Sequence, residues 1–401
     1  MRVVLAYSGG LDTSTILVLL RKKYNAEVIT ATVDVGQGED LKGVEERAYE
    51  LGALKHYTID ARKEFVEEYV FKAIKANALY EGKYPLGTAL ARPLIAKKVA
   101  EIAAKEGADA VAHGCTGKGN DQVRFDLTLK AYLKPDIKVI APVRELRLTR
   151  SDSLKILREH GYEVPASHKK YSIDENLWSR SIEGGELDDA YSEPPEEVFE
   201  WTFPLDKTPN EPLYLVIEFD NGVPRRLNDN AMDSVELVTY LNKVIGMHGY
   251  GRIDFIESRV VGLKSREVYE APAALTLIEA HQDLERMVLT PRELRFKWLI
   301  DQMWSDLVYQ GLWIDPLRTH LEKVIDSMNK YVSGEVRVKV YKGSLRVIGR
   351  KSEYSMYLKD LIDYNIGWYP SDAEARGFIN IHGFYALTAL KVRGSFDHET
   401  I

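Results

Sequence analysis

The run Ser8-Gly9-Gly10-Leu11-Asp12-Thr13-Ser14 puts two glycines ahead of a carboxylate and several hydroxyls, an order suited to holding phosphate. Gly9 and Gly10 can take positive φ and carry no Cβ, so their backbone N–H groups can turn toward an oxygen-rich ligand. Asp12 or Thr13 offers an N-cap to a helix carrying Ile16, Leu17, Leu19 and Leu20. The N-terminus of such a helix favours an anion. Two glycines alone would equally suit an ordinary strand-to-helix turn, so the choice rests on the whole string. A Walker A loop would need Gly-x-x-x-x-Gly-Lys-Ser/Thr, which neither Gly82-Lys83 nor Gly117-Lys118 completes, and the Rossmann pattern Gly-x-Gly-x-x-Gly is missing from this stretch.

Strands and helices must position that loop. Val3 to Ala6 is apolar without a break, as in a strand covered on both faces of a parallel sheet. Strand-like runs at 2–7, 27–35, 55–59, 110–113 and 138–140 alternate with helical patterns near 13–23, 41–51, 63–79, 91–106 and 151–160. The alternation predicts an α/β fold, a doubly wound parallel sheet over residues 1–165, with ligands beyond the carboxyl ends of its strands. Those ends carry Ser8-Gly9-Gly10, Val33 to Gly38, and His113 to Asp121. After Pro165 the texture changes: Asn221-Gly222 and Lys342-Gly343 read as hairpin turns, 183–195 as an acidic loop, and 273–332 as three helices broken near Pro291 and Pro316. A second, α+β domain is expected over 166–360. The remainder, 361–401, holds Ile366, Trp368, Tyr369, Phe378, Ile379, Ile381, Phe384, Tyr385, Leu387 and Leu390, too apolar for a solvated tail. Pro370 and Gly377 predict an extended arm followed by a short helix near 384–393.

Composition narrows the function. A chain of 401 residues with 45% hydrophobic and 29% charged residues reads as an ordinary globular protein of two domains and an appendage. No apolar run approaches the roughly 18 residues of a membrane span, and Met1-Arg2 opens directly on the first strand, so neither membrane nor signal peptide is expected and the cytoplasm is the expected location. Cys115 is the single cysteine, which rules out an internal disulfide or two thiols in relay. A net charge of −7 argues against a broad nucleic-acid surface.

Ser-Gly-Gly-Leu-Asp-Thr-Ser resembles the PP-loop of the ATP pyrophosphatases, which implies cleavage of ATP between its α and β phosphates and adenylation of a substrate. Sulfur-transferring and glutamine-dependent members need more cysteines than Cys115, so the amine donor is expected to be a small molecule. Four stretches, His113 to Phe125, Tyr84 to Pro93, Tyr171 to Leu177 and Gly262 to Pro272, then resemble the argininosuccinate synthase family, in order and over nearly the whole chain.

That resemblance implies condensation of L-citrulline with L-aspartate, ATP yielding AMP and pyrophosphate with Mg²⁺, by a homotetramer whose arm crosses an interface. It implies that Ala6, Tyr7, Ser8, Gly9, Gly10, Leu11, Asp12, Thr13 and Ser14 surround ATP with Val33 and Gly114; that Thr116, Asn120 and Asp121 meet aspartate; and that Tyr84, Asn120, Arg124, Ser172, Ser181, Glu257 and Tyr269 meet citrulline. Where some relatives have serine this chain has Ala89, and neighbouring Thr88 is expected to supply that hydroxyl. The residue types suit the substrate, since citrulline's carboxylate, ammonium and ureido group ask for a cation, an anion and neutral hydrogen-bonding groups. Asp12, Asp121 and Arg124 are the expected catalytic residues, while His113 reads as a packing residue. The rival readings are another PP-loop amide or amidine synthetase, and a nucleotide sensor without turnover.

Overall fold

In the computed structural model, which describes residues 1–38, 40–162, 170–363 and 369–394, the first sheet is built from β1 (Arg2–Ala6), β2 (Glu27–Asp34), β3 (Lys55–Asp60), β4 (Ala110–Ala112) and β5 (Lys138–Ile140). All neighbours are parallel, in the order β3-β2-β1-β4-β5. Strand alternation sends Val3 and Leu5 to one face, against Ile16, Leu17, Leu20, Ala48 and Leu157 of helices Leu11–Lys22, Leu41–Glu50 and Arg150–Glu159. Val4 and Ala6 face the other way, into a core with Phe65, Leu90, Leu94 and Leu129. Each Leu or Ile fully buried in this way contributes roughly 1.5–3 kcal/mol, so both faces favour the doubly wound arrangement.

Some helices depart from expectation: the pattern near 63–79 forms Arg62–Phe65, a π-helical Val66–Val70 and Phe71–Lys75, ending four residues early. Gly87–Glu106 starts four residues before the expected 91, because Pro93 is accommodated inside its second turn. Helix Asp121–Tyr132 was not foreseen: its buried residues are Arg124, Phe125, Thr128 and Leu129, a stripe half polar and therefore without an apolar period.

Two antiparallel sheets follow. One has the order β11-β12-β7-β6, from β6 (Ser172–Glu175), β7 (Arg180–Glu183), β11 (Arg252–Ser258) and β12 (Lys264–Glu270). The other is β10-β9-β8-β13-β14, from β8 (Leu213–Asp220), β9 (Val223–Leu227), β10 (Asn230–Ala231), β13 (Gly334–Tyr341) and β14 (Ser344–Lys351). Its hairpins turn at Asn221-Gly222 and Lys342-Gly343, all four residues with positive φ as a two-residue hairpin loop requires. Of helices Pro272–Val288, Pro291–Tyr309 and Pro316–Asn329, the last two begin at the expected prolines and the first begins one residue before the expected start. The middle one is pinned by buried Lys297, which donates to Asp301 at 2.8 Å and approaches Glu285 at 2.9 Å, while Asn77 donates to both carboxylates.

All of this lies in one unit, Met1–Tyr354; Ser355–Ile401 forms a second. The second unit's main element is a single helix, Asp372–Arg393, and not an extended arm with a short helix. Ser371 and Glu374 cap its start reciprocally, and Gly377 and Gly383 are carried inside it, each at about 1 kcal/mol relative to alanine, which weakens a helix without ending it. Pro165, Ile366 and Trp368 lie outside the described residues.

Candidate active site

The order β3-β2-β1-β4-β5 places the switch point of the sheet between β1 and β4, where the loops after both strands border one crevice. After β1, Gly9 takes φ +71° while Gly10 stays at −73° and serves as the N-cap of helix Leu11–Lys22 without a side-chain cap. Neither Asp12 nor Thr13 caps this helix, because it starts at Leu11 and both residues already lie in its first turn. The hydroxyl of Thr13 instead donates to the Gly10 carbonyl at 3.3 Å and meets Ser8 Oγ at 3.2 Å; Ser14 Oγ reaches the Gly9 carbonyl and the Tyr7 hydroxyl. Arg47 Nη1 donates to the Gly9 carbonyl at 2.8 Å, bracing the loop from helix Leu41–Glu50. The first amides of this helix have no partner within it, as at any helix N-terminus, and such an end can receive an anion.

After β4, Gly114 packs so tightly on this turn that a Cβ would stand 3.0 Å from the Thr13 methyl. Val33 is buried in β2, its carbonyl accepting from Gln37 Nε2 at 3.1 Å. Asp12 is half-buried, with Ser153 Oγ donating to it at 3.4 Å; burial raises its carboxyl above the ordinary value, against the pull of that hydrogen bond and Arg150.

The loop from His113 to Asn120 leads from the phosphate loop to a second cluster. His113 itself is buried, bonded to Asp126 at 2.7 Å and stacked on Phe125, a packing residue as expected. Beyond it, Asp121 at the start of its helix is clamped by Arg92 Nε at 2.7 Å and Arg124 Nη1 at 2.9 Å. Burial disfavours its charge, yet the two guanidinium groups outweigh burial and hold its carboxyl below the usual range. Arg92 also bonds Asp174 of β6, whose carboxyl is raised by burial in spite of that contact. Ser181 of β7 donates to the Asp174 carbonyl at 3.3 Å.

Glu257 of β11 completes the cluster. Tyr269 of β12 donates to it at 2.6 Å, and Tyr309 donates to its other oxygen. Burial raises the Glu257 carboxyl, opposed by these two hydroxyls and by the charges of Arg124 and Arg259. Tyr84 stacks on Tyr269, with ring centroids 4.4 Å apart, and its hydroxyl accepts from the Thr88 amide at 2.8 Å. Asn120 donates to the Tyr309 hydroxyl at 2.8 Å. Arg124, almost completely buried, donates through Nε and Nη2 to the Tyr309 carbonyl, so three of its five N–H groups are engaged here.

Tyr84, Asn120, Asp121, Arg124, Ser181, Glu257 and Tyr269 therefore meet in one hydrogen-bonded and stacked assembly. Thr116 and Ser172 are exposed at its margin, on the glycine loop and at the start of β6. Thr88 enters through its backbone amide, beside a fully buried Ala89. Sequence reasoning missed Tyr309, Arg92 and Asp174. Arg92 lies inside the Tyr84–Pro93 stretch and stands out only once its two carboxylate partners are known; Tyr309 ends a helix and has no local signature.

A parallel sheet with a glycine loop at its switch point, joined in one unit to a charge-lined cluster, defines a nucleotide-dependent enzyme of the HUP type. Family models agree: residues 2–163 match the "Arginosuccinate synthase N-terminal HUP domain" and residues 171–389 the "Arginosuccinate synthase C-terminal domain". Curated relatives named argininosuccinate synthase align over nearly their full length. The one from Hyperthermus butylicus is 68% identical over 393 residues, covering 98% of this chain and 99% of that protein. That from Pyrobaculum aerophilum is 60% identical with the same coverage, and that from Saccharolobus solfataricus is 58% identical over 98% of this chain and 100% of its own. The chain belongs to the argininosuccinate synthase family.

Proposed function

We propose that this chain joins L-citrulline to L-aspartate, converting ATP to AMP and pyrophosphate through a citrullyl adenylate and releasing argininosuccinate for arginine biosynthesis. The observation carrying this reading is the convergence of Tyr84, Asn120, Asp121, Arg124, Glu257 and Tyr269, from elements up to 185 positions apart, beside the loop that leads to Gly114.

In this reading Ala6 to Ser14, with Val33 and Gly114, hold ATP, and the loop amides and helix end meet the charge growing on pyrophosphate. Arg124 and Glu257 complement the carboxylate and ammonium of citrulline, while Tyr84, Thr88, Asn120, Ser172, Ser181 and Tyr269 fix its neutral parts. Held in line with the α-phosphate, the ureido oxygen displaces pyrophosphate, leaving an electrophilic carbon. The amine of aspartate, oriented by Thr116, Asn120 and Asp121, attacks that carbon and AMP departs.

Asp12, in the first turn of the helix that follows the glycine loop, is the carboxylate that would help hold a Mg²⁺ carried mainly by the phosphates. Bound there, the ion would neutralise phosphate charge. We further propose a nucleotide-binding domain over 1–165, a synthetase domain over 166–360 and an arm over 361–401; the family models, one ending at 163 and the other starting at 171, support the first boundary. A cytoplasmic homotetramer completes the proposal; no helix among the described residues is long and apolar enough to cross a membrane.

The test is AMP formation from ATP with citrulline and aspartate supplied singly and together. Turnover requiring both, with argininosuccinate as product, is expected; turnover indifferent to citrulline would point to a different PP-loop synthetase, and none at all to a nucleotide sensor.

A further inference from the structure

Tyr309 is the last residue of helix Pro291–Tyr309, is 1% exposed, and has its hydroxyl and its carbonyl committed to neighbouring side chains. Its ring stacks on Tyr80, with centroids 3.5 Å apart and planes within 5°, and meets Tyr84 edge-on. Its carbonyl accepts from Arg124 Nη2 at 2.9 Å and Nε at 3.2 Å. A phenol has one proton to give. Here that proton goes to Glu257, and the oxygen accepts from Asn120 Nδ2 at 2.8 Å. Asn120 is fixed at its other end, Oδ1 accepting from the Val260 amide at 2.9 Å. One residue thus orders the anion proposed for the citrulline ammonium, the cation proposed for its carboxylate and an amide proposed for aspartate.

We propose that Tyr309 is the positioning residue that couples the two amino-acid subsites, its hydroxyl orienting both Glu257 and Asn120. The inference rests on the function proposed above and adds to it a residue that no substrate need touch. Glu257 is faced by Tyr269 from β12, Tyr309 and Arg124 from their helices, and Arg259 beyond β11, all favouring its charge, and by Tyr80, Tyr84 and Glu267, which feel or oppose it. Loss of one hydroxyl donor makes the carboxylate easier to protonate. Citrulline binding, which needs the ionised form, is then lost at a higher pH than in the wild type.

The experiment is steady-state kinetics of Tyr309→Phe across pH, in the full chain. The phenylalanine keeps the stacking and removes only the hydroxyl. Expected are KM values for citrulline and aspartate raised by about tenfold, with KM for ATP unchanged. The acid limb of kcat/KM for citrulline should move up by about one pH unit. In a Glu257→Gln background, where no charge remains to protect, Tyr309→Phe should leave the acid limb where it was and still raise KM for aspartate through the loss of Asn120's partner. Wild-type constants and an unmoved limb in the single variant would overturn the inference, as would an equal rise in all three KM values, which is the mark of general packing. Wild-type enzyme whose AMP formation ignores both amino acids would instead overturn the function, and this inference with it.

Discussion

In the proposed function, Asp12 is the residue on which the phosphate site turns. Since Gly10 caps the helix, Asp12 carries no cap; beyond its place in the first turn it receives a long contact from Ser153 and the charge of Arg150. Asp12→Ala should therefore cost only about 0.3–1 kcal/mol of stability while lowering pyrophosphate release by roughly 10²-fold or more. A melting curve paired with a pyrophosphate assay checks both halves; wild-type kcat in the folded variant would return Asp12 to a purely structural role. Glu267 makes a second residue-scale prediction. Burial first, and the neighbouring charge of Glu183 next, push its carboxyl from an ordinary 4.5 up to about 7, despite Arg259 at 2.7 Å. The native state then binds a proton that the unfolded chain has released, so stability present at low pH is lost as pH rises through that window. Glu267→Gln should flatten this part of the curve of Tm against pH, the wild type losing a few degrees more than the variant; parallel curves would contradict the shift.

At the scale of elements, helix Asp121–Tyr132 is what brings Asp121 and Arg124 to the cluster, and its seat depends on Gly311. Gly311 has φ +77°, and a Cβ there would stand 3.0 Å from Arg124 Cα and 3.1 Å from its amide. Gly311→Ala should cost about 1–3 kcal/mol and raise KM for citrulline and aspartate several-fold, with KM for ATP little changed, as initial-rate kinetics would show. The same helix marks where reading the sequence stopped short. The first strand and the helix carrying Ile16, Leu17 and Leu20 were legible because their inward residues are apolar, and β2 was legible although Thr30 and Thr32 are buried in it, since Val28, Ile29, Ala31 and Val33 surround them. Asp121–Tyr132 was not, since Arg124 and Thr128 occupy inward positions that a period search counts as polar. The candidate site divides in the same way: the loop from Ser8 to Ser14 is contiguous and readable, whereas Tyr309, Arg92 and Asp174 matter through partners that only the fold supplies. The cap was misjudged for a smaller reason, a glycine standing where a side-chain oxygen was expected.

For the whole molecule, helix Asp372–Arg393 has no buried residue, and Phe378, Ile379, Ile381, Phe384, Tyr385 and Leu387 are all more than 60% exposed. A helix with exposed apolar side chains all round calls for a partner, so the homotetramer proposed above should fall apart or become insoluble when the chain is cut after Tyr369. Light scattering at micromolar concentration decides it, and a full-length monomer would refute it. The central claim, that the ureido oxygen of citrulline attacks the α-phosphate within this site, has a more direct test. Citrulline carrying heavy oxygen in its ureido group, turned over with ATP and aspartate, should pass that atom to AMP, because the bond made in adenylation is kept when AMP leaves. Mass spectrometry of the nucleotide reads the outcome: AMP heavier by one labelled oxygen is the predicted result, and unlabelled AMP alongside argininosuccinate would contradict the account.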